Sequence, residues 1–177
     1  MRILKWLLGI IVVLVVVFGA GAYLLPREIT VERSVSIDAA PNAVFPYVNS
    51  LKATQEWSPW LDRDPNVQLS FTGPEAGVGA AMSWSSDNPQ VGVGRQEIMA
   101  SVENQSVQSA LDFGDMGTAE AAFELVGAGA ATDVTWTLVV DMGNSPMGRW
   151  MGLMMDGLVG ADYEQGLSNL KSVVEGG

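Results

Sequence analysis

The sequence predicts an α+β domain: a seven-stranded curved antiparallel sheet wrapped around a long C-terminal helix and preceded by one transmembrane helix. Three observations carry this reading. The run Trp6 to Leu25 holds twenty residues without a charge. Seven later segments alternate apolar and polar residues between clusters of turn residues, which is the period of a half-buried strand. The last thirty or so residues space their apolar side chains by three and four, which is the period of a helix.

As a helix, Trp6 to Leu25 would reach about 30 Å, the thickness of a hydrocarbon core. Trp6 and Tyr23 fall where amphipathic aromatics settle at an interface, and Pro26 marks the exit. A cleaved signal peptide is the rival, since Arg2 and Lys5 form a basic start and Ala20-Gly21-Ala22 resembles a cleavage site. The retained anchor is preferred because the apolar run continues through Tyr23-Leu24-Leu25 and exceeds the usual signal core of about 7 to 15 residues. Arg2, Lys5 and the α-amine precede the span, against Arg27 and Arg33 after it. That bias predicts a single-pass protein with a cytoplasmic N-terminus and an extracytoplasmic domain. The expected division is an anchor over residues 1–27 and a ligand-binding domain over 28–177.

In the domain, Ile29, Val31, Val35 and Ile37 alternate with polar residues, with Arg33 the one polar intrusion on the apolar face. Asp38-Ala-Ala-Pro41 is a helix start in which Asp can cap and Pro fits the first turn, followed by Val44, Phe45 and Val48. Asn49 to Asp64 contains Trp57-Ser-Pro-Trp60 and is too interrupted by Pro for one helix, so a second short helix or a loop is expected. The remaining strands are predicted at Val67–Thr72, Val78–Ser85, Val93–Val102, Val107–Phe113, Thr118–Val126 and Asp133–Val140. Asp87-Asn-Pro89, Gly114-Asp-Met-Gly117 and Gly127-Ala-Gly129 supply turns, and their closeness to the strands predicts an antiparallel meander. The C-terminal region is expected to form a short helix over 146–156 and a longer one over 158–174, with Leu158, Ala161, Leu167, Leu170 and Val174 on one side.

From Glu28 onward, six Lys and Arg stand against twenty Asp and Glu, a balance of −14. Such a surface is repelled by phosphate backbones and anionic headgroups, which speaks against nucleic acid and against polybasic membrane attachment. The chain has no Cys and no His, which removes disulfides, Cys nucleophiles, His bases and zinc sites built on either residue. No cofactor and no metal site are expected, because Asp156, Asp162 and Glu164 read as solvated helix carboxylates and no calcium-loop motif is present. Gly77-Val-Gly79 and Gly92-Val-Gly94 read as turns rather than phosphate loops.

The order of elements, with Val31-Glu-Arg-Ser-Val-Ser-Ile37, Ala40-Pro-Asn-Ala-Val-Phe45 and Trp57-Ser-Pro-Trp60, resembles the SRPBCC or START-like superfamily of helix-grip proteins. Within it, the chain is most similar to the polyketide cyclase/dehydrase-like branch. Val134-Thr-Trp-Thr137, Asp141 to Arg149, Met155-Asp156 and Asp162 to Lys171 extend the resemblance to about residues 30 to 175. It implies a cavity between the curved sheet and the last helix that holds hydrophobic small molecules, lipids or polyketides. Fold does not fix chemistry, and no motif here transfers catalytic residues.

Candidate lining residues are Phe71, Trp84, Phe113, Phe123 and Trp136 on strands, Trp57 and Trp60 on the interrupted segment, and Met151, Met154 and Met155 on the C-terminal helix. Aromatics and Met shape themselves to apolar ligands, and both also make ordinary core. Arg95 and Glu97 share one strand face and read as a solvent-facing pair, opposite Ile98, Ala100 and Val102. Asp133 and Asp141 read as surface residues. The leading expectation is membrane-anchored binding or transfer of a hydrophobic small molecule or lipid. A cyclase, dehydratase or hydrolase would instead need Glu97, Asp112, Glu120 or Glu124 facing the cavity. A third possibility is an acidic module that docks a basic partner in the cell envelope.

Overall fold

A computed structural model describes residues 2–176; the α-amine used in the orientation argument lies outside them. Helix α1 runs Arg2–Ala22, and Lys5–Ala22 within it is long and apolar enough to cross a membrane, a property that a span and a signal sequence share. The helix stops three residues short of the predicted Leu25. Pro26 disfavours helical geometry in the residue before it, and Tyr23, Leu24 and Leu25 close the end with hydrogen bonds to Ala20, Gly21 and Ala22.

The strands are β1 Glu28–Ile37, β2 Gln68–Thr72, β3 Ala81–Ser85, β4 Val93–Val102, β5 Ser106–Asp112, β6 Thr118–Ala128 and β7 Ala131–Asp141. They form one antiparallel sheet in the order β1-β7-β6-β5-β4-β3-β2. Helix α2 spans Pro41–Val48 and helix α3 spans Pro146–Gly176. Asn49 to Asp64 folds as two short 3-10 turns, Ala53–Glu56 and Leu61–Arg63. This is the helix-grip arrangement expected.

Register explains the core. Ile29, Val31, Arg33, Val35 and Ile37 lie opposite Val140, Leu138, Trp136, Val134 and Thr132, so one face of β1 and β7 is continuous. It continues through Ala119, Ala121, Phe123 and Leu125 of β6, then Leu111, Ser109 and Val107 of β5. Helix α3 covers the β1 end of this inner face, while α2 and the 3-10 turns close much of the rest.

Several expectations are corrected. The C-terminal region is one helix of 31 residues and does not break near Gly157, whose missing side chain faces open space. Its buried positions are largely glycines, Tyr163, Leu167 and Leu170, whereas Leu158 and Ala161 are exposed. The glycines are approach points to the sheet. A Cβ at Gly152 would lie 2.9 Å from Ile29, one at Gly166 would lie 2.8 Å from the Trp136 ring, and one at Gly160 would overlap the Arg33 guanidinium.

In β4 a bulge at Met99 breaks the alternation, because Ile98 pairs with Ser109 while Ala100 pairs with Gln108. Ile98 therefore points inward and Ser101 follows it, whereas Ala100 and Val102 turn to the outer face. Asp38 does not cap α2. Ala40 is the cap residue and makes no side-chain bond, and the Asp38 backbone N–H donates to Glu175 instead. Strand β3 begins at Ala81 because Gly77 and Gly79 sit in left-handed conformations (φ 78° and 86°). Gly127 belongs to β6, which leaves Gly129 (φ 70°) and Ala130 as the hairpin turn.

The three late carboxylates are ion-paired. Arg33 reaches from the inner face across Gly160 to Asp156 (2.9 Å) and Glu164 (2.7 Å). These hydrogen bonds raise the Arg33 pKa further and depress that of Asp156. Asp162 accepts from Arg63 and, at 3.2 Å, from Trp60 Nε1. The last turns of α1 pack on the start of α3. Trp150 stacks on Phe18 (5.5 Å between centroids) and donates Nε1–H to the Phe18 carbonyl, while Arg149 donates to the Leu25 carbonyl and lies over the Tyr23 ring.

Candidate ligand site between sheet and C-terminal helix

Five aromatic side chains meet where α3 crosses the inner face. Trp136 from β7 is at the centre, stacked on Phe123 of β6 at 4.8 Å and on Tyr163 of α3 at 3.8 Å. Trp57 and Trp60 present edges to it at 5.4 and 5.7 Å. Local sequence explains the convergence. The period-two pattern turns Phe123 and Trp136 to the same face, where they are directly paired across β6 and β7. Ser58 and Pro59 bend the chain so that Trp57 and Trp60 both point down, and Gly166 leaves room for Trp136 and Pro59 beneath α3.

Of the three indole N–H groups in this cluster, two are paired and one is not. Trp57 Nε1 donates to the Tyr47 carbonyl and Trp60 Nε1 to Asp162, while Asn169 holds the Trp57 carbonyl at 3.1 Å. Among the described residues, no hydrogen-bond partner reaches the buried Trp136 Nε1. Burial also pushes the Tyr163 hydroxyl above the ordinary tyrosine pKa.

Of the predicted lining residues, Trp57, Trp60, Phe123 and Trp136 come together here. Trp84 and Phe113 form a second, edge-to-face pair at 5.9 Å toward the open end of the sheet. Met155 packs partly buried against the core, and Met151 and Met154 are exposed. Phe71 lines a small separate cleft of about 70 Å³ with Leu51, Pro74 and Ala80. Tyr163 was not among the predicted residues; its spacing from Gly160, Gly166 and Leu167 on one helix face is the signal that could have found it.

The aromatic cluster fills the space where the resemblance implies a cavity. A broader depression of about 590 Å³ lies on the outer face, lined by Glu28, Arg95, Glu97, Asp112, Glu120 and Asp141 among others. The Arg95–Glu97 pair (2.8 Å) faces solvent there as expected, and Glu124 is exposed on the same face. None of the four carboxylates considered for catalysis lines the inner side. Among the described residues, no cluster of His, Cys, Asp or Glu is placed to hold a metal ion.

Comparison with solved structures agrees on the fold. A protein from Rhizobium leguminosarum is similar with a TM-score of 0.59 at 14% identity, over 85% of this chain and 96% of its own. MLL2253 from Mesorhizobium loti gives 0.58 at 16%, over 82% and 96%. CalU16 from Micromonospora echinospora gives 0.55 at 12%, over 83% and 74%. At such identities the likeness speaks for the fold alone. No curated protein sequence matches the chain. A family model described as polyketide cyclase/dehydrase and lipid transport matches residues 28–175, nearly the whole chain after α1. A ligand-binding or cyclase-like role follows from that match, and the chain belongs to the polyketide cyclase/dehydrase and lipid transport family, within the SRPBCC superfamily.

Proposed function

We propose that this chain binds or transfers a hydrophobic small molecule or lipid between its sheet and α3, with residues 1–27 retained as a membrane anchor and 28–177 as the binding domain. The observation that carries this is the buried N–H of Trp136 at the centre of the aromatic cluster, which no partner among the described residues reaches. A buried donor without a partner costs about 1–3 kcal/mol, which a ligand carbonyl or hydroxyl would recover while apolar atoms replace aromatic contacts. Access runs through the Trp57–Trp60 segment, which Asp162 and Asn169 hold down by a few polar bonds.

The anchor reading draws support from the small residues of Ala20-Gly21-Ala22. Ala22 is fully buried, and a Cβ at Gly21 would lie 3.3 Å from the Trp150 ring, so packing accounts for what resembles a cleavage motif. The basic residues at the start of α1 favour a cytoplasmic N-terminus and an extracytoplasmic domain.

Native mass spectrometry of the full chain purified from membranes tests the binding reading. A co-purifying apolar molecule in one-to-one ratio is expected. Trp136→Phe should weaken its retention by a few-fold to about tenfold, the weight of one hydrogen bond. A chain that is always empty and takes up no added fatty acid or phospholipid would refute it.

A second reading rests on the outer depression, whose five carboxylates against Arg95 suit a basic protein partner in the envelope. Capture of such a partner that vanishes at high salt would favour it.

A further inference from the structure

The N-terminal half of α3 carries an apolar stripe that no other described residue covers. Met147, Met151, Met154 and Leu158 follow one another at spacings of four, three and four, which places them on one side of the helix over about 17 Å. Each is about half exposed or more, at 60, 47, 56 and 59%. Large apolar side chains in an unbroken row on a surface mark an interaction site.

Three observations identify what lies against it. Trp150, inside the same stretch of α3, stacks on Phe18 and donates to its carbonyl. Phe18 stands four residues, or about 6 Å, before the end of α1, so the second turn of α3 sits level with the final turns of the apolar helix. The charge distribution changes at the same place. The domain carries twenty acids, yet residues 142–155 contain none and only one cation, Arg149. Finally, the groups that flank the stripe are those that settle at a bilayer surface. Arg149 lies over Tyr23, and Arg27 pairs with Asp141 just beyond the apolar helix.

We propose that the stretch of α3 from Met147 to Leu158 is a second membrane-contacting element. The Met147, Met151, Met154 and Leu158 stripe is buried about 5–10 Å into the leaflet from which α1 emerges. This rests on α1 being a retained span. It would place the end of α3 nearest α1 in lipid, with Met155 and the aromatic cluster following inward along the same helix, so that an apolar ligand could pass without crossing water.

The absence of Cys allows a clean test with the full chain in phosphatidylcholine vesicles. Single-cysteine variants Met147→Cys, Met151→Cys and Met154→Cys are labelled with an environment-sensitive fluorophore and exposed to lipids carrying a doxyl quencher high on the acyl chain. Val13→Cys in α1 reports the span, and Ser168→Cys on the far half of α3 reports solvent. Quenching several-fold stronger at the three methionine positions than at Ser168→Cys supports the proposal. Quenching at Val13→Cys with the methionine positions resembling Ser168→Cys overturns it and leaves the anchor standing. No quenching at Val13→Cys overturns both. Methionine positions shielded from lipid but within dipolar range of the same label on another copy would assign the stripe to self-association and also overturn it.

Discussion

The Trp136 indole lies flat on the Tyr163 phenol, with centroids 3.8 Å apart and planes inclined by 14°, which ties the middle of α3 to the last strand. Tyr163 is 3% exposed, and burial raises its pKa because the phenolate would lose its hydration. A group whose folded pKa lies above its unfolded value adds stability below the unfolded value, about 10, and that stability is lost as pH rises beyond it. Ultraviolet titration should therefore show one of the three tyrosines ionising only together with alkaline unfolding. Tyr163→Phe should abolish that step.

Two glycines of α3 should respond oppositely to alanine. Gly157 meets nothing within 4 Å, so Gly157→Ala should stabilise by about 0.5–1 kcal/mol through helix propensity alone. At Gly166 the added Cβ would press on the Trp136 ring and Pro59, two rigid groups, and overpacking of about 1–3 kcal/mol should outweigh the same propensity gain. Paired denaturant melts read the signs directly.

Acid should loosen the ion pairs that tie Arg27 to the end of β7 and Arg33 of β1 to α3. Hydrogen bonds from Arg27 and the Gly143 backbone hold the Asp141 carboxyl down at about 2, and those from Arg33 depress Asp156. Depressed carboxylates stabilise above their unfolded pKa, about 4, and lose that contribution as pH falls toward the folded value. Melting temperature should therefore drop between about pH 4 and 2, by an amount limited by solvent screening of these exposed pairs. In Arg33→Gln, which removes the shared partner of Asp156 and Glu164, the drop should be shallower and start from a lower melting temperature at neutral pH.

Trp57 and Asp162 separate stability from access. Trp57→Ala removes a buried ring that meets Phe123 and Trp136 edge-on, at a cost of about 3–5 kcal/mol. Asp162→Asn loses the charge that holds Arg63 while keeping an acceptor for Trp60. It should preserve the fold but speed exchange of a bound apolar molecule, measurable by stopped-flow dilution. An unchanged exchange rate would place the entry route elsewhere.

Much of the scaffold was legible because it depends on neighbours in the chain. Alternation located all seven strands within a few residues, and it placed Phe123 and Trp136 on the inner face. The same alternation marked Arg33 as an intrusion without explaining it, since its partners Asp156 and Glu164 lie 123 and 131 residues away. Met99 shows the limit differently. A one-residue bulge is invisible to a period, yet it turned Ala100 and Val102 outward and brought Ser101 in.

By itself, the sequence determined the apolar helix, the seven strand segments, the acidic surface and the lack of Cys and His chemistry, because composition and short-range periodicity are properties of contiguous residues. Tertiary structure alone decided that α3 is unbroken and docks through glycines, that aromatic rings fill the space between it and the sheet, and that no partner among the described residues reaches the Trp136 N–H. It also decided that Trp150 joins the start of α3 to the end of α1. Each of these depends on which distant side chains arrive at the same point, and packing rather than pattern settles that.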